Sequence, residues 1–178
     1  MHKVKLRISL LAVVICFGTS LPVAAENDKP EVPAAVVNGI TQAVVNAGVL
    51  TCASRVNQVA NFLTTGTQGA GAFLFIPPVN PDQKIVSISM EIPISPGSSA
   101  YASASFAPGQ ANNCGALYET VVYWPTGCDD VAGKNFAAFT RVSTLSKTVV
   151  ILDGGQTTKV FLQPAGAGCV SIKKEIIQ

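Results

Sequence analysis

The sequence is poor in histidine and in charged residues. Its single histidine, His2, lies near the start of the chain, in a segment that we expect to be removed during export. Without an imidazole, the mature protein cannot form a Ser-His-Asp or Cys-His nucleophile, a histidine general base or a histidine-ligated metal site. Charged residues make up 12% of the chain, so we expect no basic surface for nucleic acid or for an anionic membrane.

Long apolar runs are absent apart from one near the start. Residues 8–17 are apolar except for one serine and follow three basic residues, but a transmembrane helix needs roughly 20 apolar residues. A basic segment followed by a short apolar run is typical of a secretory signal peptide. We predict that residues 1–25 are a signal peptide cleaved after Ala25, which leaves a mature chain without a transmembrane segment.

Cleavage would also change the charge balance. Lys3, Lys5 and Arg7 account for three of the twelve basic residues, so nine remain against ten acidic residues, a net charge of −1. About 150 residues remain, which is enough for one domain with a core. Residues 26–36 begin with a polar, proline-bearing stretch, and we predict a flexible lead-in there. We expect residues 37–178 to form a single domain.

Closely spaced cysteine pairs are absent as well. A zinc site built from four thiolates normally uses such pairs, so we expect neither a metal site nor a cofactor. One of the five cysteines, Cys16, falls in the predicted signal peptide. An even number then remains, which in an exported protein indicates two disulfides. The remaining cysteines are Cys52, Cys114, Cys128 and Cys169.

A helical period is present in residues 37–64. Apolar residues there are spaced by alternating threes and fours, which predicts an amphipathic helix with one buried stripe. Gly48 lies inside this pattern and costs about 1 kcal/mol relative to alanine, so we expect any break of the helix near it. The predicted stripe consists of Val45, Val49, Cys52, Val56, Val59 and Leu63.

From residue 84 onward the period changes to two, which is typical of strands with one buried face. Asp153-Gly154 separates two such runs and predicts a hairpin. One helix followed by mostly antiparallel strands predicts an α+β fold with the helix on the sheet; the alternative is a β-sandwich with an appended helix. The predicted strands are residues 84–95, 101–106, 116–124, 134–145, 148–152, 157–163 and 169–177.

The predicted strand 116–124 limits how the cysteines pair. Its nine residues would span roughly 30 Å, whereas the two Cα atoms of a disulfide lie about 4.4 to 6.8 Å apart. Cys114 and Cys128 flank this strand, so they should not pair with each other. Both remaining arrangements join the helix to one end of the strand. We prefer Cys52 with Cys114 and Cys128 with Cys169, with the exchanged pairing left open.

Two aromatic residues are candidate binding residues. Tyr118 and Trp124 have the same strand parity, and Trp124 leads into a predicted loop, residues 125–130, that begins with Pro125. Exposed aromatic rings on one face could stack on sugars or anchor a protein partner. The alternative for the single tryptophan of a small domain is a place in the core.

Acidic residues are the remaining candidates for chemistry. Asp129 and Asp130 follow Cys128 in the predicted loop, but adjacent side chains rarely point at the same atom, and no calcium-binding loop surrounds them. Ser171 and Lys174 have the spacing of a serine nucleophile and its lysine, yet in a strand they point to opposite faces. A carboxylate-dependent hydrolase would need two acidic groups within about 5 to 9 Å. The candidates are Glu91, Glu119, Asp129, Asp130 and Asp153.

The sequence therefore favours a non-catalytic binding or structural module, secreted or periplasmic, that contacts a protein partner or its own copies. An inhibitor would present the loop 125–130, whereas a surface subunit would present an unpaired edge strand, for which residues 86–94 are the candidate. The alternative is a small carboxylate-dependent glycan hydrolase or a carbohydrate-binding module. We expect no binding of nucleic acid.

Overall fold

The computed structural model of the protein describes residues 38–67, 69–109 and 113–178. The predicted signal peptide and lead-in, residues 1–36, lie outside the described residues. The described chain is rich in antiparallel sheet and has an α+β composition. Its elements are α1 (Gly39–Asn46), α2 (Ala53–Thr64), β1 (Gly71–Phe75), a 3-10 helix (Pro81–Gln83), β2 (Val86–Ser95), β3 (Ser98–Pro108), β4 (Cys114–Trp124), α3 (Cys128–Asn135), β5 (Thr140–Leu145), β6 (Val149–Asp153), β7 (Thr158–Ala165) and β8 (Gly168–Ile177).

The strands form one eight-stranded sheet in the order β1-β2-β3-β4-β8-β7-β6-β5. Every neighbouring pair is antiparallel. The central pair, β4 with β8, runs in register from Ala116 opposite Ile177 to Trp124 opposite Cys169. The β-sandwich alternative therefore does not describe this protein, because the strands lie in one sheet rather than two.

The segment predicted as one helix contains two helices. Gly48 has φ of +88°, a left-handed conformation that glycine adopts without a steric penalty. The break changes the helical phase, so Val44 is fully buried while Val45 is only half-buried. The other five residues of the predicted stripe are buried as expected: Val49, Cys52, Val56, Val59 and Leu63.

The candidate edge strand, residues 86–94, is internal, so that prediction is wrong. β1 pairs with it from Ser87 to Glu91 on one side, and β3 pairs with it on the other. Pro93 lies beyond the last β1 pair, next to a register shift that precedes Ser95. A proline, which lacks an amide donor, is tolerated at such a place. The sequence pattern missed β1 because its five residues show no alternation of polar and apolar side chains.

The predicted loop 125–130 and strand 134–145 are also corrected. Cys128 begins α3, which places Asp129 and Asp130 in its first helical turn. Carboxylates interact favourably with the partial positive charge at a helix N-terminus, and Lys134 pairs with Asp130 one turn later at 3.6 Å. Helix therefore replaces the loop from Cys128 onward, and the strand begins only at Thr140.

Two hydrophobic clusters lie on the same face of the sheet. In the larger cluster, α1 and α2 pack on β2, β3 and β4; in the smaller one, α3 packs on β6, β7 and β8. A disulfide fastens each helical layer to a central strand: Cys52 to Cys114 at the start of β4, and Cys128 to Cys169 in β8. This is the pairing that we preferred from the sequence.

Candidate functional site

The opposite face of the sheet carries no helix in the described part of the chain. β2 shows how the two faces differ, because Ile88 and Met90 are buried under the helices while Ser87 and Ser89 point the other way. The same alternation continues across all strands through the cross-strand register. We call the side that points away from the three helices the open face.

Apolar side chains form a continuous row across the open face. The register joins one residue from each of five neighbouring strands, which at about 4.8 Å between strands gives a length of about 19 Å. Tyr101 at one end of the row is 47% exposed, and the other four side chains are half-buried. This apolar row consists of Tyr101, Val121, Ile172, Phe161 and Ile151.

Further apolar side chains widen this surface. Tyr123, two residues after Val121 on β4, is 55% exposed. Towards the other end of β4, Leu117 and Ile176 lie opposite each other and are 41% and 48% exposed. They line an apolar groove of about 410 Å³ together with Ile85. The open face is thus apolar over much of its width, whereas the solvent side of an antiparallel sheet is normally polar.

A charged row runs beside the apolar row. Lys174 pairs with Glu119 at 2.9 Å, and Lys159 pairs with Asp153 at 2.9 Å. The hydrogen bond from Lys159, followed by one from the Gly155 amide, holds the pKa of Asp153 below its usual range. Because each acid has a lysine partner, this row has no net charge and offers no free carboxylate.

The structure does not place Tyr118 at the surface. Its ring is 2% exposed on the helix-covered face, and its hydroxyl donates a hydrogen bond to Glu175 Oε2 at 2.6 Å. Burial, together with the hydrogen bond to Glu175 and the charge of that residue, raises the pKa of Tyr118. Tyr118 is therefore a core residue, and the prediction that it offers an exposed ring is wrong.

Glu175 forms the centre of a small polar cluster with Tyr118 and Lys173, whose Nζ lies 3.0 Å from Glu175 Oε2. Burial acts to raise the pKa of Glu175. The hydrogen bond from Tyr118 and the hydrogen bond and charge of Lys173 together outweigh it and hold the pKa below its usual range. All three groups are satisfied within the cluster, which gives it a structural role.

Trp124 shares the helix-covered face with Tyr118, as their parity predicted. It packs half-buried against the smaller cluster, and its Nε1 donates a hydrogen bond to Ser171 Oγ at 2.8 Å. Ser171 is thereby occupied, and Lys174 lies on the open face, so the two do not form a nucleophile and base. Pro125, directly after Trp124, is exposed at the end of β4.

The acidic candidates do not come together as a catalytic pair. Asp129 accepts a hydrogen bond from Arg141 at 3.2 Å, while Asp130 pairs with Lys134. Glu91 accepts one from Ser99 at 2.8 Å on the open face. All five candidates, Glu119 and Asp153 included, have a partner and are spread over two faces of the sheet. Within the described residues, no group of three or more His, Cys, Asp and Glu side chains is arranged to hold a metal ion.

The apolar row was missed from the sequence. Each of its members belongs to a strand that alternates correctly, but only the pairing order of the strands aligns them. The order of β4 beside β8 joins residues that are about fifty positions apart, as with Val121 and Ile172. A pattern search along the chain has no access to this pairing.

Comparison of the chain with protein-family models, with curated proteins and with solved structures finds no match. In the described ranges no helix has the length and apolar character needed to cross a membrane.

Proposed function

We propose that the protein is a secreted or periplasmic, non-catalytic binding module that acts through contact with another protein. The observation that carries this proposal is the apolar row on the open face. Contiguous apolar surface on a small domain marks an interaction site, and aromatic residues are enriched at the centres of protein interfaces. Tyr101 and Tyr123 supply such rings, at 47% and 55% exposure.

The cellular location rests on two independent features. Two disulfides are typical of proteins that fold in an oxidising compartment, and the sequence begins with a predicted signal peptide. Both features agree with action at the cell envelope or outside the cell.

A capture experiment with matched variants tests the proposal. The mature, oxidised protein (residues 26–178) is immobilised and exposed to the envelope fraction and culture medium of its source cells. The open-face variant carries Tyr101→Lys and Tyr123→Lys; the control carries Leu50→Lys, at a side chain that is 62% exposed between α1 and α2. We expect wild type and control to retain the same protein and the open-face variant to retain at least tenfold less. Equal recovery by all three proteins would refute the proposal.

Carbohydrate binding is a second candidate, supported by one feature of the open face. Phe73 and Tyr101 border a shallow depression of about 280 Å³ together with Ser89 and Glu91. Aromatic rings beside a carboxylate and hydroxyl groups match the apolar and polar sides of a sugar ring. A glycan array probed with wild type and Phe73→Ala tests this candidate. Binding that is lost in the variant would support it, and an array without binding would discard it.

A further inference from the structure

The two edges of the sheet differ in how they are protected. β5 carries the charged residue Arg141 and a register shift between Arg141 and Ser143. Charges and bulges are two devices by which proteins prevent an edge strand from pairing with another chain. β1, at the other edge, contains no charged residue and no proline, and its register with β2 is regular from Gly71 to Phe75.

β1 is also apolar and exposed. On the open face, Phe73 and Phe75 are 64% and 54% exposed, and their ring centroids lie 4.9 Å apart. Among the residues that the structure describes, no strand lies on the outer side of β1. An edge strand of this kind is a template for strand addition, because its outward amide and carbonyl groups remain without a strand partner.

The helical layer leaves room beside the same edge. A groove of about 510 Å³ lies between α1 and β1 and is lined by Gly39, Ala43, Ala72 and Leu74 among others, without any charged side chain. α1 has no acidic residue in its first turn and no basic residue in its last turn. Among the described residues, neither β1 nor the lining of this groove therefore carries a charge.

We propose that β1 pairs antiparallel with β1 of a second copy of this chain, around a twofold axis that passes through Phe73. This register places Phe73 opposite the partner subunit's Phe73, which forms an aromatic cross-strand pair. Gly71 lies opposite the partner subunit's Phe75, so the ring covers a residue without a side chain. Ala72 lies opposite the partner subunit's Leu74, and the groove next to Ala72 provides the space for it.

The lack of charged residues on β1 favours a second copy of this chain as the source of the strand that pairs with it. A twofold axis brings identical groups together, so any charge near it would face a like charge. β1 and the adjoining groove lining of α1 avoid this cost, whereas pairing of two β5 edges would bring Arg141 near the partner subunit's Arg141. Two copies of the strand GAFLF also fit each other when they pair antiparallel. Apart from the central phenylalanine pair, each large side chain then lies opposite a small one.

The proposed dimer does not depend on the open-face binding site. Edge pairing leaves the apolar row accessible in both copies. Loss of dimers in a β1 variant and loss of captured protein in the Tyr101→Lys, Tyr123→Lys variant are therefore separate results, and either proposal can fail alone.

Sedimentation equilibrium of the mature, oxidised protein tests the dimer. An edge contact is small, so the concentration range should extend from about 1 to 500 µM. We expect a reversible dimer in wild type, at least tenfold weaker association in Phe73→Lys, and no change in Leu145→Lys, a control at a 59% exposed position on β5. A monomer at every concentration, or a dimer that is equally strong in Phe73→Lys, would overturn the proposal.

Cross-linking tests the register. Directly opposed residues of an antiparallel pair have Cα atoms about 4.5 to 5.5 Å apart, within the range of about 4.4 to 6.8 Å that a disulfide spans. We expect Phe73→Cys to form a covalent dimer under mild oxidation, and Val142→Cys, on the exposed β5 edge, to remain monomeric. No covalent dimer of Phe73→Cys, or equal cross-linking of both variants, would contradict the twofold pairing at β1.

Discussion

The molecule contains two regions that have the same arrangement of helix on sheet but bury hydrophobic clusters of different size. In the first region, α1 and α2 cover β1 to β4; in the second, α3 covers parts of β6 to β8. Each has one disulfide between its helical layer and a central strand. The first region buries a large cluster, whereas all six residues of β5 in the second region are exposed. Because its buried cluster is smaller, we expect the second region to depend more on its disulfide than on its core.

The two regions meet along β4 and β8, where polar groups lie between the clusters on the helix-covered face. Tyr118, Lys173 and Glu175 form one polar cluster there, and Trp124 with Ser171 forms a second contact. Buried polar groups are stable only when their hydrogen bonds are satisfied. In the described residues no buried side-chain nitrogen or oxygen lacks a partner, so the polar groups at this junction meet that condition.

Removal of the disulfides should cause the largest loss of unfolding free energy. The two disulfides should also affect different parts of the chain. Closed loops with sequence separations of 62 and 41 predict a similar loss, about 4 kcal/mol of unfolding free energy for each. We expect Cys128→Ser with Cys169→Ser to increase hydrogen exchange mainly in α3 and β5, because α3 packs only on the smaller cluster and β5 is an exposed edge strand. Cys52→Ser with Cys114→Ser should instead lower the stability of the whole domain. Urea unfolding and hydrogen exchange measure the two effects, and equal exchange patterns would contradict the comparison.

Truncation of one core residue in each region tests how much each hydrophobic cluster contributes to stability. Ile88 and Leu152 are buried in the larger and the smaller cluster, at 1% and 2% exposure. Truncation of such a side chain to alanine costs about 2 to 5 kcal/mol, depending on how far the surroundings collapse. We expect Ile88→Ala to cost more than Leu152→Ala but less than the loss of a disulfide, because the thinner second region can relax into the cavity left at Leu152. A larger loss for Leu152→Ala in urea unfolding would reverse this ranking.

Tyr118→Phe tests the junction and should cost about 1 to 2 kcal/mol of unfolding free energy, because Glu175 loses a donor. The pKa of Tyr118 is raised on folding, so its contribution is present below about pH 10 and is lost as pH rises above that value. The pKa of Glu175 is lowered, so its contribution is lost as pH falls below about 4. Unfolding curves at several pH values should show the alkaline loss from Tyr118 in wild type only. The same alkaline loss in the variant would assign it to another group.

The smallest effect is expected for the ion pair that links α3 to β5. Arg141 and Asp129 lie 3.2 Å apart, with 58% and 87% of their side chains exposed. Exposed pairs of this kind contribute little because water and salt screen them. Arg141→Ala should change the unfolding free energy by less than about 0.5 kcal/mol. A loss several times larger in urea unfolding would mean that this pair, and not the disulfide, holds the second region together.

Sequence periodicity predicted the parts of the fold that depend on one segment at a time. The valine stripe of α2, the alternation in β2 and the turn at Asp153-Gly154 depend on neighbours along the chain. The break near Gly48 was expected, but the burial of Val44 in place of Val45 and the helix that starts at Cys128 were missed, because tertiary contacts decide where such short helices begin and end.

The candidate site was missed for a related reason. Tyr118 and Trp124 were correctly placed on one face, but parity does not tell which face the helices cover. The apolar row exists only because β4 lies beside β8, and β1 became an edge only because it pairs with β2. Long-range pairing of strands is therefore the information that the sequence alone did not supply.

The disulfide pattern also bears on how the protein matures. Each bond joins cysteines that are consecutive in residues 26–178: Cys52 with Cys114, and Cys128 with Cys169. In a chain that enters an oxidising compartment from its N-terminus, the first pair is complete before Cys128 arrives. In such a compartment, oxidation in order of arrival would yield the native bonds directly, without the slow exchange of one disulfide for another.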